Sequence, residues 1–282
     1  MKHRKHRLNI IFFILLFVCY TNSATGQQLG TVRNLASVTH DIDQPSGISE
    51  IKTLWDPPLG SPADISYYAL FNTEAEYTFD DLNTLGIVPV KIEIGISDDY
   101  AESEPDDVAY YFHIAAVDEE GEIGLTASAG PYRIDVVPPS GISVLMPESI
   151  SKRLVTLSLE AEGASEIYIS NNYGGADGEW EAMTNSKEWM LGKGAGNKTV
   201  YVRFRDVVGN ISEVSADTNF IIGDVDARDS QVIIDLKDLI LALKVITGDA
   251  SGAEVNPDAD VNSDGKIGIE EAVYILRKLS QG

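Results

Sequence analysis

Cysteine is nearly missing from this chain of 282 residues; the single one is Cys19. It falls in a segment expected to be removed, so the remainder offers no thiol nucleophile, no thiolate metal site and no disulfide staple. Histidine is almost as scarce, with only His40 and His113 beyond the first 26 residues. His113 alternates with the inward residues of its strand and is expected on the surface. No G-x-S-x-G elbow occurs. Carboxylates are plentiful, but the short strand pattern has no long insertion to build a cleft around a pair of them. No catalytic residue is assigned, and the chain is expected not to be an enzyme. Basic residues are also few: 21 Lys and Arg against 44 Asp and Glu, for a formal net charge of −23. That field repels phosphate backbones and anionic lipid, which excludes nucleic acid as a partner. It favours solubility and divalent cations.

What is present begins with an export pattern. Lys2, Arg4, Lys5 and Arg7 precede an apolar run from Leu8 to Tyr20. Small and polar residues follow, Thr21-Asn22-Ser23-Ala24-Thr25-Gly26. This order predicts a secretory signal over 1–26, cut after Ala24 or Gly26. The run is shorter than the ~20 residues a spanning helix needs, so no membrane attachment is expected after cleavage. Val18 stands where a lipidation box before Cys19 would carry a small residue. The expected location is extracellular or on the cell surface.

Residues 27–138 read as short strands divided by turn residues. Ile51, Thr53 and Trp55 alternate with Lys52 and Leu54, and Asp56-Pro57-Pro58 ends that strand because proline cannot donate to a ladder. Tyr110, Phe112, Ile114 and Ala116 form one face of a later strand, before the turn residues Asp118-Glu119-Glu120-Gly121. With no helical period between them, such strands predict an antiparallel β-sandwich. The early Trp55 followed by Pro-Pro, and the Tyr-x-Phe-x-Ile-x-Ala strand, resemble a fibronectin type III domain. The resemblance implies that Trp55 is core and that Tyr110 is the tyrosine corner.

Val136-Val137-Pro138-Pro139-Ser140-Gly141 reads as a linker into a second all-β segment, 139–223. Val155, Leu157, Leu159 and Ala161 alternate with polar residues, as do Val200, Val202 and Phe204. Period-two alternation this regular implies one buried and one wet face. The segment resembles the Ig-like modules of bacterial surface proteins. Trp180, Trp189 and Tyr173 are aromatics that either flank its core or stack on sugar rings.

From 224 to 282 the period changes. Leu236, Leu239, Ile240, Leu243 and Ile246 follow helical spacing, and so do Ala272, Val273, Leu276 and Leu279. Gly248 suits a helix C-cap. Between the two helices lies Asp260-Val261-Asn262-Ser263-Asp264-Gly265-Lys266-Ile267-Gly268-Ile269-Glu270-Glu271, a twelve-residue loop of EF-hand type. Asp260, Asn262 and Asp264 occupy positions 1, 3 and 5, Gly265 allows the sharp turn at 6, Lys266 offers its backbone carbonyl at 7, and Glu271 supplies two oxygens at 12. Hard oxygens in that number suit Ca²⁺. Ile267, at position 8, is expected to point into the core.

Pro257 argues against a helix leading into this loop. A calcium loop with only its exiting helix, preceded by a second such unit, resembles a dockerin module. In the first unit Asp238 takes position 12. Equal spacing then puts Asp235 at 9, Gln231 at 5, Asp229 at 3 and Ala227 at 1; an alternative starts from Asp224 and Asp226 with extra residues before Asp238. In either reading that loop is degenerate. The resemblance implies a protein partner for the C-terminal module, of the cohesin kind. Loop positions 10 and 11, however, are Ile269-Glu270 and Leu236-Lys237, where type I dockerins carry Ser/Thr pairs. The fold class expected is thus mainly β, two tandem sandwiches and a small all-α calcium-binding module. The function expected is a non-catalytic calcium-binding surface, scaffold or adhesion protein. The alternative is an accessory subunit of a polysaccharide-degrading assembly, with a glycan as ligand.

Overall fold

The structure is a computed structural model. It describes residues 28–62, 65–79, 90–93, 99–103, 108–175, 177–226 and 232–281, with only the backbone of 90–93 and 99–103. The expected signal segment, 1–26, lies outside the described residues, as do Ala227, Asp229 and Gln231 of the first loop. Among the described residues no helix is long and apolar enough to cross a membrane.

The first sandwich is built from β1 (Arg33–Ser37), β2 (Pro45–Ser46), β3 (Glu50–Asp56), β4 (Ser66–Asn72), β5 (Val90–Glu93), β6 (Asp99–Ser103), β7 (Ala109–Val117) and β8 (Ala127–Ile134). They form a three-stranded sheet ordered β1-β3-β6 and a five-stranded sheet ordered β2-β8-β7-β4-β5. Ile51 and Trp55 from the smaller sheet meet Tyr67, Phe112, Ile114 and Tyr132 from the larger in one core. Trp55 lies edge-on to Tyr67 at 5.4 Å, and Tyr110 is buried in the same cluster. The alternation legible in the sequence is therefore the alternation that fills the space between two sheets.

His113 departs from the expectation of a surface position. It is 0% exposed. The cause is a segment between β4 and β5 that folds over the outer face of the larger sheet. Tyr77 and Phe79 cover Ala115 there, joined by Tyr68, Leu70 and Ile123. His113 Nε2 lies 2.9 Å from the Glu74 carbonyl oxygen and 3.0 Å from Asn72 Oδ1, and Nδ1 lies 2.7 Å from Ser128 Oγ. Two acceptors at Nε2 place the proton there, leaving Nδ1 to accept from the serine hydroxyl. Burial holds the pKa of His113 below the usual imidazole value.

The second sandwich comprises β9 (Ser140–Leu145), β10 (Ser149–Ile150), β11 (Leu154–Glu162), β12 (Glu166–Ser170), β13 (Trp180–Ala182), β14 (Ser186–Met190), β15 (Gly196–Arg205) and β16 (Ile211–Phe220). Ser140-Gly141, read as linker from sequence, is already the start of β9. The sheets are ordered β14-β11-β9 and β10-β16-β15-β12-β13. Strand for strand this is the order of the first sandwich, so the two modules share one topology. Each contains one short parallel pairing in an otherwise antiparallel fold: β2 with β8, and β10 with β16. Each also turns from its seventh to its eighth strand on an aspartate. Asp118 Oδ1 accepts from the Glu122 N–H at 2.8 Å; Asp206 Oδ1 accepts from the N–H groups of Val208, Gly209 and Asn210 at 2.9, 2.7 and 2.9 Å. Asn210 Nδ2 then donates to the Asp135 carbonyl at 2.8 Å and ties the second sandwich to the end of the first.

The C-terminal part contains α1 (Leu236–Thr247), a single 3₁₀ turn (Pro257–Ala259) and α2 (Ile269–Leu279). Its own small core holds Val225, Leu241, Ala242, Ala259, Ala272 and Ile275. Of the residues on the helical spacing, Ala272 belongs to this core and Leu239 packs against it. Leu236, Ile240, Leu243 and Ile246 of α1 are exposed, as are Val273, Leu276 and Leu279 of α2, and Ile269 beside them. Each helix carries two apolar stripes, and only the shorter one packs inward. Helices this short are marginal in water without such packing.

This part is fastened to the second sandwich. Asn256 is buried and donates through Nδ2 to the carbonyls of Ser151 and Asp224, both at 2.8 Å. The Asp258 carboxylate takes the Arg153 side-chain Nε at 2.7 Å and the Arg153 backbone N–H at 2.8 Å. Val261 and Tyr274 pack against the second sandwich's core. A Cβ on Gly223 would lie 2.9 Å from the Tyr274 ring, which explains glycine at that junction.

Candidate metal site

The loop from Asp260 to Glu271 runs from the 3₁₀ turn into α2. Pro257 opens that turn at its first position, where a missing N–H costs nothing, and Asn256 caps it by accepting from the Asp258 N–H at 3.1 Å. Asp260 then organises the loop. Its Oδ1 accepts from the N–H groups of Ser263 and Asp264 at 2.7 and 3.3 Å, and its Oδ2 from Gly265 at 2.7 Å. Asn262 Oδ1 accepts from the Asp264 N–H at 3.1 Å, and Asn262 Nδ2 donates to Asp264 Oδ2 at 3.2 Å. Asp264 Oδ1 takes the Lys266 N–H at 2.9 Å. Gly265 has φ +81°, a left-handed conformation that a side chain would strain, although open space surrounds it. Ile267 is half-buried against the small core.

Glu271 closes the loop. It is 1% exposed. Oε1 accepts from the Val261 N–H at 3.0 Å and Oε2 from the Gly268 N–H at 2.6 Å, so one carboxylate spans loop positions 2 and 9. The second bond is half of a capping box at the start of α2.

The same latch occurs at α1. Asp238, 2% exposed, accepts from Asp226 N–H at 2.9 Å and from Asp235 N–H at 2.8 Å. Matching these donors to those of Glu271 aligns Asp226 with Val261 and Asp235 with Gly268. From Val261 to Gly268 is seven steps; from Asp226 to Asp235 is nine. The first loop is thus two residues longer between the same two donors, and Val225, which stands between the Asp224 and Asp226 of the alternative reading, enters the small core. Val225 is fully buried and offers no side-chain oxygen.

Among the described residues, no three His, Cys, Asp or Glu side chains are gathered into a group that could hold a metal ion. The carboxylates of the second loop are turned to its own N–H groups. Their donor chemistry fits a hard cation all the same. A carboxylate has about four acceptor sites. Asp260 spends three on the loop, Asp264 two and Glu271 two, so each retains at least one. Asn262 and the Lys266 carbonyl complete an all-oxygen set, the kind that Ca²⁺ takes in irregular geometry. Among the described residues, no basic side chain pairs with Glu271.

The aromatics of the second sandwich divide. Trp189 donates through Nε1 to Asn171 Oδ1 at 3.1 Å and packs on the core. Trp180 is covered by the Arg205 guanidinium, 4.1 Å from its ring centroid. Tyr173 is 85% exposed.

No protein-family model matches the chain, and no curated protein matches it either. Solved structures similar to it are fibronectin III-like modules. The fibronectin(III)-like modules of Clostridium thermocellum CbhA are 12% identical, with a TM-score of 0.36 over 66% of this chain and 93% of that one. The FN1–FN3 domains of chicken CNTN1 are 16% identical, with a TM-score of 0.30 over 67% of this chain and 66% of that one. Likenesses this distant carry no argument about site or partner.

Proposed function

We propose that the chain is an exported, non-catalytic scaffold or adhesion protein whose dockerin-like C-terminal module binds one Ca²⁺ and docks a protein partner. The observation that carries the reading is the contrast within that module. Two buried carboxylates, Asp238 and Glu271, make the same latch, but only the second latch closes a loop with Asp260, Asn262 and Asp264 at the ligand positions. Those residues, the Lys266 carbonyl and Glu271 would hold the ion. Bound there, Ca²⁺ would supply positive charge that offsets the three ligand carboxylates, Asp260, Asp264 and Glu271. The docking half of the proposal rests on the repeated outward stripes, Leu236-Ile240-Leu243-Ile246 and Ile269-Val273-Leu276-Leu279. Exposed apolar rows of that length mark an interaction surface more often than an ordinary one. A second sandwich rigidly joined to the module would hold that surface at a fixed distance from the rest of the chain.

The test is thermal unfolding of the full chain with 2 mM CaCl₂ and with chelator. Extracellular modules bind Ca²⁺ with Kd of about 10⁻⁴–10⁻³ M, so calcium should stabilise the module by about 1–2 kcal/mol. Replacing Asp260 by Ala should abolish the difference. Identical unfolding curves with and without calcium in the unmodified chain would rule the proposal out.

A further inference from the structure

The outer face of the larger sheet of the second sandwich is unlike a plain solvated surface. Val200, Val202 and Phe204 of β15 point inward, which turns Tyr201, Arg203 and Arg205 outward. Tyr168 of β12 faces the same way, with Arg203 5.9 Å from its ring centroid. The turn that follows β12 rises beside this face and carries Tyr173 at its tip. Its ring lies 5.6 Å from that of Tyr201 at 71°, an edge contact. The turn is anchored on both sides. Tyr168 donates its hydroxyl to the Gly175 carbonyl and accepts from the Gly178 N–H at 3.2 Å, while Ser170 donates to the Asp177 carboxylate. Tyr173 is thus a large ring held out in water on a fastened support, where burial would have been favourable.

Tyr173 and Tyr201 together line two adjoining hollows, of about 190 and 440 Å³. The larger is otherwise polar, with Asn172, Asp177, Asn197, Lys198 and Thr199 in its wall. That wall offers amide, carboxylate, ammonium and hydroxyl groups within one concavity. A ligand to match it must donate and accept hydrogen bonds in quick succession and still present an apolar face to a ring. A pyranose does both, through its hydroxyls and its axial C–H face. Charge narrows the class. The hydroxyl of Ser170, first among the hydrogen bonds to Asp177, holds that carboxylate below its usual range, so it is ionised at neutral pH. The chain as a whole carries −23. Within the wall the Lys198 ammonium, which donates to the Lys193 carbonyl at 2.8 Å, balances Asp177, and the negative charge of the chain as a whole disfavours an acidic sugar.

We infer that this shelf on the second sandwich is a binding site for a neutral polysaccharide, with Tyr173 as the stacking ring and the wall of the larger hollow as the hydroxyl-reading side. The site lies on the second sandwich and does not depend on the calcium reading of the tail.

The experiment is native affinity electrophoresis of the full chain in gels containing hydroxyethylcellulose, xyloglucan, galactomannan or, as the acidic control, polygalacturonate, with chelator throughout. At least one neutral polymer should retard the protein and polygalacturonate should not. Tyr173→Ala should weaken that retardation by about tenfold or more, a loss of ~1.4 kcal/mol, with thermal unfolding unchanged because the ring is exposed. Tyr173→Phe should retain most of it, since the ring rather than the hydroxyl does the stacking. Three results would overturn the inference: no retardation by any of the neutral polymers, retardation by polygalacturonate alone, or equal retardation of Tyr173→Ala. A protein partner on the shelf in place of a glycan would give the first of these. Failure here leaves the calcium proposal standing, because chelator is present in every lane.

Discussion

The two halves of the C-terminal module share a helix and a buried carboxylate that accepts from the N-cap N–H, and differ in the loop before it. Asp238 and Glu271 each gather two backbone N–H groups, one at the helix cap and one at the far end of the loop. In both halves the latch is made by backbone donors to the carboxylate. A buried acid at position 12 is therefore no sign of metal by itself. What separates the halves is the loop: in the second, Asp260 takes three N–H groups and keeps a lone pair, with Asn262, Asp264 and the turn at Gly265 behind it. The first is two residues longer between the donors of its latch and has no glycine from Asp224 to Asp238.

The largest expected effect tests that asymmetry directly. Replacing Glu271 by Ala should lower calcium affinity by about 100-fold, because a two-oxygen ligand is lost. Replacing Asp238 by Ala should leave it within about threefold. In chelator the two variants should be destabilised alike, by about 3 kcal/mol, since each strands two N–H donors. Chemical denaturation of both, with and without calcium, separates the roles. Equal loss of calcium affinity would break the comparison.

Next in size is the junction that Asn256 makes. Asn256→Ala removes the donor from two buried carbonyls, those of Ser151 and Asp224. A loss of about 2 kcal/mol is expected, together with a separate, earlier unfolding step for the tail. Calorimetric scanning would detect it. A single unshifted transition would mean that the tail is not held there.

A smaller effect sets the tail against the first sandwich. The tail and the second sandwich have no histidine, whereas His40 and His113 are both buried and both held below the ordinary imidazole pKa by desolvation. The neutral form is the folded form. Stability is then full above the unfolded pKa of about 6.5 and falls as pH drops below it, by up to about 1.4 kcal/mol per pH unit for each histidine. Acid should open the first sandwich before the tail. His113→Gln should flatten the slope of urea midpoints between pH 6.5 and 5. An unchanged slope would mean that His113 is charged in the fold.

The smallest effect equalises the two helix starts. Asp235 caps α1 with its side chain, which accepts from the Lys237 N–H at 2.6 Å; Gly268 caps α2 with none. Gly268 has φ −130°, which any residue adopts. Gly268→Ser should raise the stability of α2 by about 0.3 kcal/mol, read from amide hydrogen exchange.

Legibility from sequence followed the strength of local constraint. Period-two runs such as Val155-Leu157-Leu159 have one way to bury a face, and the strands lie where that pattern sits. Trp55 was legible for the same reason. That both sandwiches share one strand order was not, because topology is set by pairings between strands distant in the chain. His113 was misplaced because a covering segment, Tyr77 to Phe79, leaves no mark on the strand it covers. In the helices, spacing marks apolar positions without saying which turn inward: Leu239 and Ala272 pack on the small core, whereas Leu236, Ile240 and Leu276 face water. In the loop, ligand types and Gly265 were readable from spacing, and the donors that Asp226 and Asp235 direct at Asp238 agree with the reading that allowed extra residues in the first loop.

The central claim is that one half of the module, and not both, is a calcium site. Isothermal titration of the full chain with CaCl₂ tests it most directly. The account predicts a single site per chain with Kd of about 10⁻⁴–10⁻³ M, present in Asp238→Ala and absent in Asp260→Ala. Two sites per chain, or heat that survives the loss of Asp260, would contradict it.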